Sequence, residues 1–249
     1  MKISGDYHIH SRYSKFRHGK NTIAEIVADA HSKGLKEIAI TDHGPRHIFF
    51  GVRKNALKKA RAEIDALQKQ YPDMKIYLGL EANLITETGE IDVNEDMLKY
   101  MDICLLGFHK GAYGKFSGLL NLGHLFGNKK DPKRIERNTN AYIKAIESNK
   151  INVITHPNEY IYVDAKKLAE ACAEHGVFIE INNRHLKISE DDIKRMLETK
   201  VKFIIESDAH KLSSVGKVDT AVAFAQKYIP EDRIVNIHDI SVFGRGNRE

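Results

Sequence analysis

The chain has few cysteines. Of its 249 residues only Cys104 and Cys172 are cysteine, too few for a disulfide framework. Cys104 sits in the apolar stretch YMDICLLGF and Cys172 in the helical stretch KLAEACAEHG. Both read as reduced core thiols of a cytoplasmic protein. No apolar run reaches the roughly 18 residues of a membrane span. The N-terminus has no apolar segment of signal-peptide type. There is no G-x-S-x-G and no Walker glycine loop, which argues against a serine nucleophile or a kinase-type nucleotide site. No solenoid-length repeat and no low-complexity linker interrupts the chain. The excess of one charge is small: 39 Lys and Arg against 34 Asp and Glu, formally +5. That balance suits an anionic substrate and does not demand nucleic acid.

Histidine, by contrast, is abundant. There are thirteen, and His8, His10 and His18 fall within the first eighteen positions. An apolar core has little use for three imidazoles so close together.

Hydrophobic patterning predicts strict alternation of strand and helix. The expected strands are KISGDYHIH, EIAITDH, KIYLGLEAN, DICLLGFH, INVITHP, VFIEINN and VKFIIESDAH, seven in all, with helices between and after them. Thr22 with Glu25 forms a capping-box pattern, and Gly34 and Gly176 stand where helices close. Asp131 with Pro132, Asp164 and Ser189 are expected to open helices. Such alternation implies a parallel sheet, because parallel neighbours need helical crossovers. An open doubly wound sheet and a closed barrel both satisfy it. The glycine-rich stretch 110–130 is too long for an ordinary β-α loop and is expected to be a lid-like insertion in a single domain spanning 1–249. Its Phe116, Leu119, Leu120, Leu122, Leu125 and Phe126 suggest a packed cover.

The metal-ligand residue types fall at the expected strand ends. His8 and His10 end the first, His43 the second, Glu81 the third, His109 the fourth, His156 the fifth, and Asp208 and His210 the seventh; His18 follows the first. Carboxyl ends of parallel strands meet on one face of a barrel, so these residues are expected to share a pocket. On a strand, His8 and His10 face the same side. Imidazoles and carboxylates without cysteine suit zinc, manganese or iron. Any one of these motifs is a weak signal; their combination carries the argument. His31, His175 and His238 read as surface residues. His47, His124 and His185 lie nearer the expected mouth, with His124 placed to approach substrate from the lid.

H-x-H, TDHG, G-x-EAN, GFH, THP and SDAH, in that order, resemble the PHP (polymerase and histidinol phosphatase) family, most closely its small stand-alone phosphatases. The resemblance runs from the first strand to about residue 212. It implies a distorted (β/α)7 TIM-like barrel with three divalent metal ions at its carboxyl face. It further implies that His8 and His10 hold one ion with Glu81 and Asp208. Glu81 would bridge to a second held by His109 and His156, and His18, His43 and His210 would hold the third.

Such a site suits a metal-dependent phosphoesterase acting on small phosphomonoesters, histidinol-phosphatase-like, through a metal-activated water. Glu81, Asp208, His210 and Arg184 are the residues expected at the chemistry. Arg184 follows the strand that supplies no ligand, which frees its loop to bind phosphate. Arg46 and Lys211 are weaker candidates beside ligand motifs. Basic residues crowd two helix starts: Arg53, Lys54, Lys58 and Lys59 at one, and Lys129, Lys130, Lys133, Arg134 and Arg137 at the other. Cations are unfavourable there, so the placement fits either attraction of an anion or a plain solvated face. The expected partner is a small anionic phosphorylated substrate, not a membrane. A nuclease acting on nucleic acid ranks second, and a non-catalytic metal-binding module third.

Overall fold

The computed structural model describes the chain except residues 54, 117–121, 124, 239–240 and 244–249. Seven parallel strands form one sheet in sequence order: β1 (Gly5–Ile9), β2 (Glu37–His43), β3 (Lys75–Asn83), β4 (Ile103–Gly107), β5 (Val153–Ile154), β6 (Phe178–Asn182) and β7 (Phe203–Glu206). Beyond β7 the chain returns to β1. Ala209 donates to the His8 carbonyl at 3.0 Å, and His10 donates to the Ala209 carbonyl at 2.8 Å. The sheet thereby closes into a distorted (β/α)7 barrel, which decides between the two architectures the alternation allowed.

The helices are α1 (Ile23–Ser32), α2 (Ala56–Gln70), α3 (Glu95–Leu98), α4 (Pro132–Ser148), α5 (Ala165–His175), α6 (Glu190–Leu197) and α7 (Asp219–Tyr228). The expected caps are in place. Thr22 and Glu25 make a reciprocal capping box on α1, and Ser189 makes one with Asp192 on α6. Asp131 and Asp164 cap α4 and α5. Gly34 and Gly176 follow α1 and α5 at φ of 77° and 68°, a region that favours glycine.

Each strand sends one row of side chains outward to the helices and one inward. The outward row, with Ile38, Ile40, Leu78, Leu80, Ile179 and Ile205, joins the main core. At the amino end of the barrel the inward row is apolar: Tyr7, Ala39, Tyr77, Ile103, Leu105, Val153 and Ile204 pack around Phe243. Toward the carboxyl end the same inward rows turn polar. Ala39 is followed by Thr41 and His43, Tyr77 by Gly79 and Glu81, and Ile204 by Glu206 and Asp208. The polar side chains therefore stand on an apolar floor.

Two departures from the expected strands shape the site. A bulge between Asp6 and Ile9 resets the alternation in β1. Tyr7 packs on the barrel floor while Ile9 joins the outer core, and the bulge lets His8 follow Tyr7 into the interior. The expected fourth, fifth and seventh strands also ran too far. Their ladders stop at Gly107, Ile154 and Glu206, so His109, His156, Asp208 and His210 lie in the loops just beyond. His156 and Asp208 have φ of 26° and 53°, which turns the chain off the sheet. Strained backbone at non-glycine residues persists where surrounding structure holds it, and it gathers at functional sites.

The stretch 110–130 is only in part a packed cover. Phe116 is buried against Phe108, but Leu122, Leu125 and Phe126 are exposed. Leu119, Leu120 and His124 lie outside the described residues.

Candidate metal centre

Glu81 is the hub of the polar layer. It is buried, and its Oε1 lies 2.7 Å from Nε2 of His156, 3.0 Å from that of His109 and 3.4 Å from that of His8. Its Oε2 lies 2.9 Å from Nδ1 of His43 and 3.6 Å from Nε2 of His10. Oδ1 of Asp208 stands 3.4 Å from Nε2 of His10 and 3.8 Å from Nε2 of His8. His18 joins through His210, their Nε2 atoms 2.6 Å apart. Nη1 of Arg184 lies 2.7 Å from Nδ1 of His210 and 3.8 Å from Asp208. One cluster thus contains His8, His10, His18, His43, Glu81, His109, His156, Asp208, His210 and Arg184.

Backbone room is part of the design. A Cβ on Gly107 would lie 2.8 Å from Cε1 of His109 and 3.0 Å from Cε1 of His156. The inward position at the end of β4 must stay empty for both rings to reach Glu81.

The donors are oriented from behind. Nδ1 of His8 donates to Glu180 at 2.7 Å, and Nδ1 of His109 donates to Oδ1 of Asn83 at 2.8 Å. Asn83 is fixed in turn by buried Asp92, which accepts its backbone and side-chain N–H groups at 2.7 and 2.6 Å. Each contact sets the tautomer and leaves Nε2 facing the centre. None of these supporting residues was singled out in the sequence. The available signal was a carboxylate inside the apolar run VFIEINN, at an inward position.

The electrostatics follow from burial and crowding. Burial holds His43 well below the ordinary histidine pKa, and with neighbouring His10 and Arg184 it lowers His18 to about 4. Burial and His10 lower His210 to about 2. Such lowering favours the neutral ring, the form that ligates metal. Burial opposes the charged form of His8 too, but Glu81, Glu180 and Asp208 outweigh it and hold the ring well above its usual value. Glu81 and Asp208 also lose by burial, yet the surrounding histidines keep both well below the usual carboxylate range.

The residues present fit divalent ions. Nε2 of His8 and both ring nitrogens of His10 are buried with no hydrogen-bond partner among the described residues; so are Nδ1 of His43 and Oε2 of Glu81, which face each other at 2.9 Å without hydrogen-bond alignment. Orphaned buried polar atoms cost about 1–3 kcal/mol each, and a cation among them relieves all at once. Ligand atoms lie within 4.8 Å of one another in three sets around this space: His8, His10 and Glu81; His43, Glu81 and His109; His10, His43 and His210. His10 and His43 are each shared between two of these sets, a feature absent from the grouping that the resemblance implied.

Above the cluster is a cavity of about 210 Å³. Arg184, Lys110, Tyr160 and His185 line it together with the cluster. Phe50 forms one wall, stacked between His18 at 3.8 Å and His47 at 4.8 Å. A larger groove of about 690 Å³ runs between α4, α5 and α6 but holds none of the converging donors, so the smaller cavity is the candidate site. Nδ1 of buried His47 accepts from the Phe50 N–H at 3.2 Å. His31 pairs with Asp73 at the surface, and His175 and His238 are exposed. Arg46 and Lys211 are exposed and do not line the cavity. Nor do Arg134 and Arg137 of α4 or Lys130 just before it: Arg134 donates to the Phe126 carbonyl, Arg137 lies 3.5 Å from Glu87, and Lys130 covers the Tyr162 ring.

Comparison with known proteins settles the family. The PHP domain model matches residues 6–184, well over half the chain. The chain belongs to the PHP domain family. A probable phosphatase of Thermoanaerobacter sp. strain X514 is 32% identical over 252 aligned positions, covering 95% of this chain and 91% of that protein. One from Caldanaerobacter subterraneus is 30% identical, covering 95% and 88%. Among solved structures, histidinol phosphate phosphatase of Lactococcus lactis, complexed with zinc, L-histidinol and phosphate, superposes with a TM-score of 0.61 at 18% identity. It covers 90% of this chain and 94% of that one. At that identity the likeness supports the PHP barrel fold.

Proposed function

We propose that this PHP protein is a metal-dependent phosphoesterase that hydrolyses phosphomonoesters of small molecules. The observation that carries the reading is the set of orphaned, buried nitrogen and oxygen atoms gathered around Glu81. The names of the 30–32% identical relatives support phosphatase activity, and the histidinol and phosphate bound by the Lactococcus enzyme support a small phosphorylated substrate.

His8 and His10 would hold one ion with Glu81 and Asp208, His109 and His156 a second with Glu81, and His18, His43 and His210 a third. Zinc, manganese and iron all suit this donor set. Such ions, when bound, lower the pKa of water and take up charge on phosphoryl oxygens. The protein's own part is positioning. Glu81 and Asp208 balance the charge of the centre, and Glu180 and Asn83 aim His8 and His109. Arg184, beside Asp208 and His210, offers a planar fork to the phosphate oxygens. The Phe50, His18 and His47 stack walls off solvent on one side. A cavity of about 210 Å³ accommodates a phosphoryl group and a compact leaving group, which favours a small substrate over a nucleic-acid strand. We read residues 1–249 as one domain, and the two buried free thiols support a reducing, cytoplasmic location. Among the described residues no helix is long and apolar enough to cross a membrane.

The test is to purify the protein without chelator, count its metals by elemental analysis, and assay the same sample against a panel of phosphomonoesters and oligonucleotides. The expected result is about three ions per chain, one per proposed donor set, with monoester turnover. Activity on oligonucleotides alone would replace this reading with a nuclease. Failure to bind any cluster after reconstitution with zinc, manganese and iron would remove its basis.

A further inference from the structure

We propose that the substrate carries a second phosphoryl-type dianion, and that a basic cavity beside the metal centre receives it. The inference rests on the phosphoesterase reading and narrows its substrate class.

This second cavity, about 640 Å³, lies between the β1–α1 loop and the start of α2. Arg12, Lys15, Arg17, Arg53 and Lys59 line it, and no carboxylate does. Among the described residues, Lys15, Arg17, Arg53 and Lys59 form no ion pair. The opening of α2 adds to the field. Asn55 makes no side-chain cap, and the first turn carries no acidic residue, so the positive helix end is uncompensated. Crowded like charges repel, and an anionic ligand relieves that repulsion.

The cations of the loop ride on fixed backbone. Buried Asp42 accepts the Ser11 N–H at 2.8 Å, the Ser11 hydroxyl at 2.6 Å and the Ser14 hydroxyl at 2.5 Å. The Lys15 N–H donates to the Phe50 carbonyl at 3.1 Å. Ordering of that backbone therefore adds little to the cost of binding. The two cavities are neighbours along the chain: Arg17 and Arg53 line the basic one, while His18 and Phe50, one and three residues away, line the catalytic one. A substrate with two phosphates can seat one on each side. Guanidinium and ammonium groups suit the dianion, Arg as a bidentate fork.

The experiment uses the metal-loaded full chain and α,ω-alkanediol bisphosphates of increasing length, each against its matched alkyl monophosphate. At one length kcat/KM for the bisphosphate should exceed that of the monophosphate by about tenfold, the worth of one charge-assisted contact. The gain should sit in KM and fade at high salt. In the double variant Arg53→Ala, Lys59→Ala, the ratio should drop toward one, with thermal melts confirming the fold. Calorimetric titration with alkane bisphosphonates and monophosphonates reads the same cavity without turnover. Tighter bisphosphonate binding, lost in the double variant but without hydrolysis of any ester, would sink the phosphoesterase reading and leave the cavity's preference intact. Equal constants at every length, a preference that survives the double variant, or a preference seen only with oligonucleotides would overturn the proposal.

Discussion

Nδ1 of His8 stands 2.7 Å from a carboxylate oxygen of Glu180, both side chains buried. The other oxygen of Glu180 accepts the backbone N–H of His156 at 2.6 Å. One carboxylate thus orients two proposed ligands from β6, a strand that contributes none. Glu180→Ala is expected to weaken metal binding about 10–100-fold, the usual effect of losing such a support. Competition against a fluorescent chelator measures it. Unchanged affinity would mean that the surrounding barrel alone positions His8.

Removing the metal should cost stability. An ion present at a thousandfold excess over its Kd stabilises by about 4 kcal/mol. For a chain of this size each kcal/mol moves Tm by about 2–4 °C. Chelation is therefore expected to lower Tm by roughly 10 °C for each ion so held, restored by adding back the ion found in the purified protein. Calorimetry of the stripped and reloaded protein reads this directly, and coincident melts would argue against ions in the cluster.

Arg184 is expected to act on the phosphate rather than on the metals. Arg184→Ala should lower kcat/KM about 10²–10³-fold, in the range of losing a charged group that stabilises the transition state. Metal content should stay as in the wild type. Arg184→Lys keeps the charge and loses the fork, so it should recover only part of the rate. Lost metal in Arg184→Ala would instead mark the side chain as support for His210.

Asp42 holds the β1–α1 loop. Asp42→Ala strips the partner from the Ser11 N–H and hydroxyl and from the Ser14 hydroxyl, all buried. A penalty of about 2–4 kcal/mol follows from leaving such groups unsatisfied. Urea unfolding should show the free energy of unfolding falling by that amount, with a lower midpoint at unchanged slope. A loss within 0.5 kcal/mol, the scale of a neutral surface change, would show that water replaces Asp42 freely.

Much of this was readable from the residues in order. Strand–helix alternation, the caps at Thr22, Asp131, Asp164 and Ser189, and the ligand types near strand ends all depend on local pattern. What stayed hidden depends on the third dimension. The bulge in β1 leaves no local mark, yet it decides which way Tyr7 and His8 face. Glu180, Asn83 and Asp92 act through side-chain contacts that the order of residues does not display. The grouping of His10 with His43 and His210 depends on ring directions that spacing does not encode. The expected strands overran at His109, His156 and Asp208 because hydrophobic pattern registers the approach to the sheet edge, not the positive φ that turns the chain away.

Stability at acid pH gives a test far from the metal centre. Asp164 caps α5, accepting the Lys166 and Lys167 N–H groups at 3.1 and 3.2 Å, and Arg195 lies 2.8 Å away. Partial burial works against its charge, but the Lys167 N–H and Arg195 outweigh it and hold the carboxyl below its ordinary value. A carboxyl whose pKa is depressed on folding stabilises the protein above its unfolded pKa. That contribution is lost as pH falls through the folded value. Asp164→Ala is expected to cost about 1 kcal/mol at pH 7, as lost N-caps do, a fall in Tm of about 2–4 °C. The gap between wild type and variant should narrow as pH is lowered from about 5 to below the ordinary carboxylate range near 4. Melts across that range decide it: a gap independent of pH would show that the carboxyl caps α5 through its shape and not through its charge.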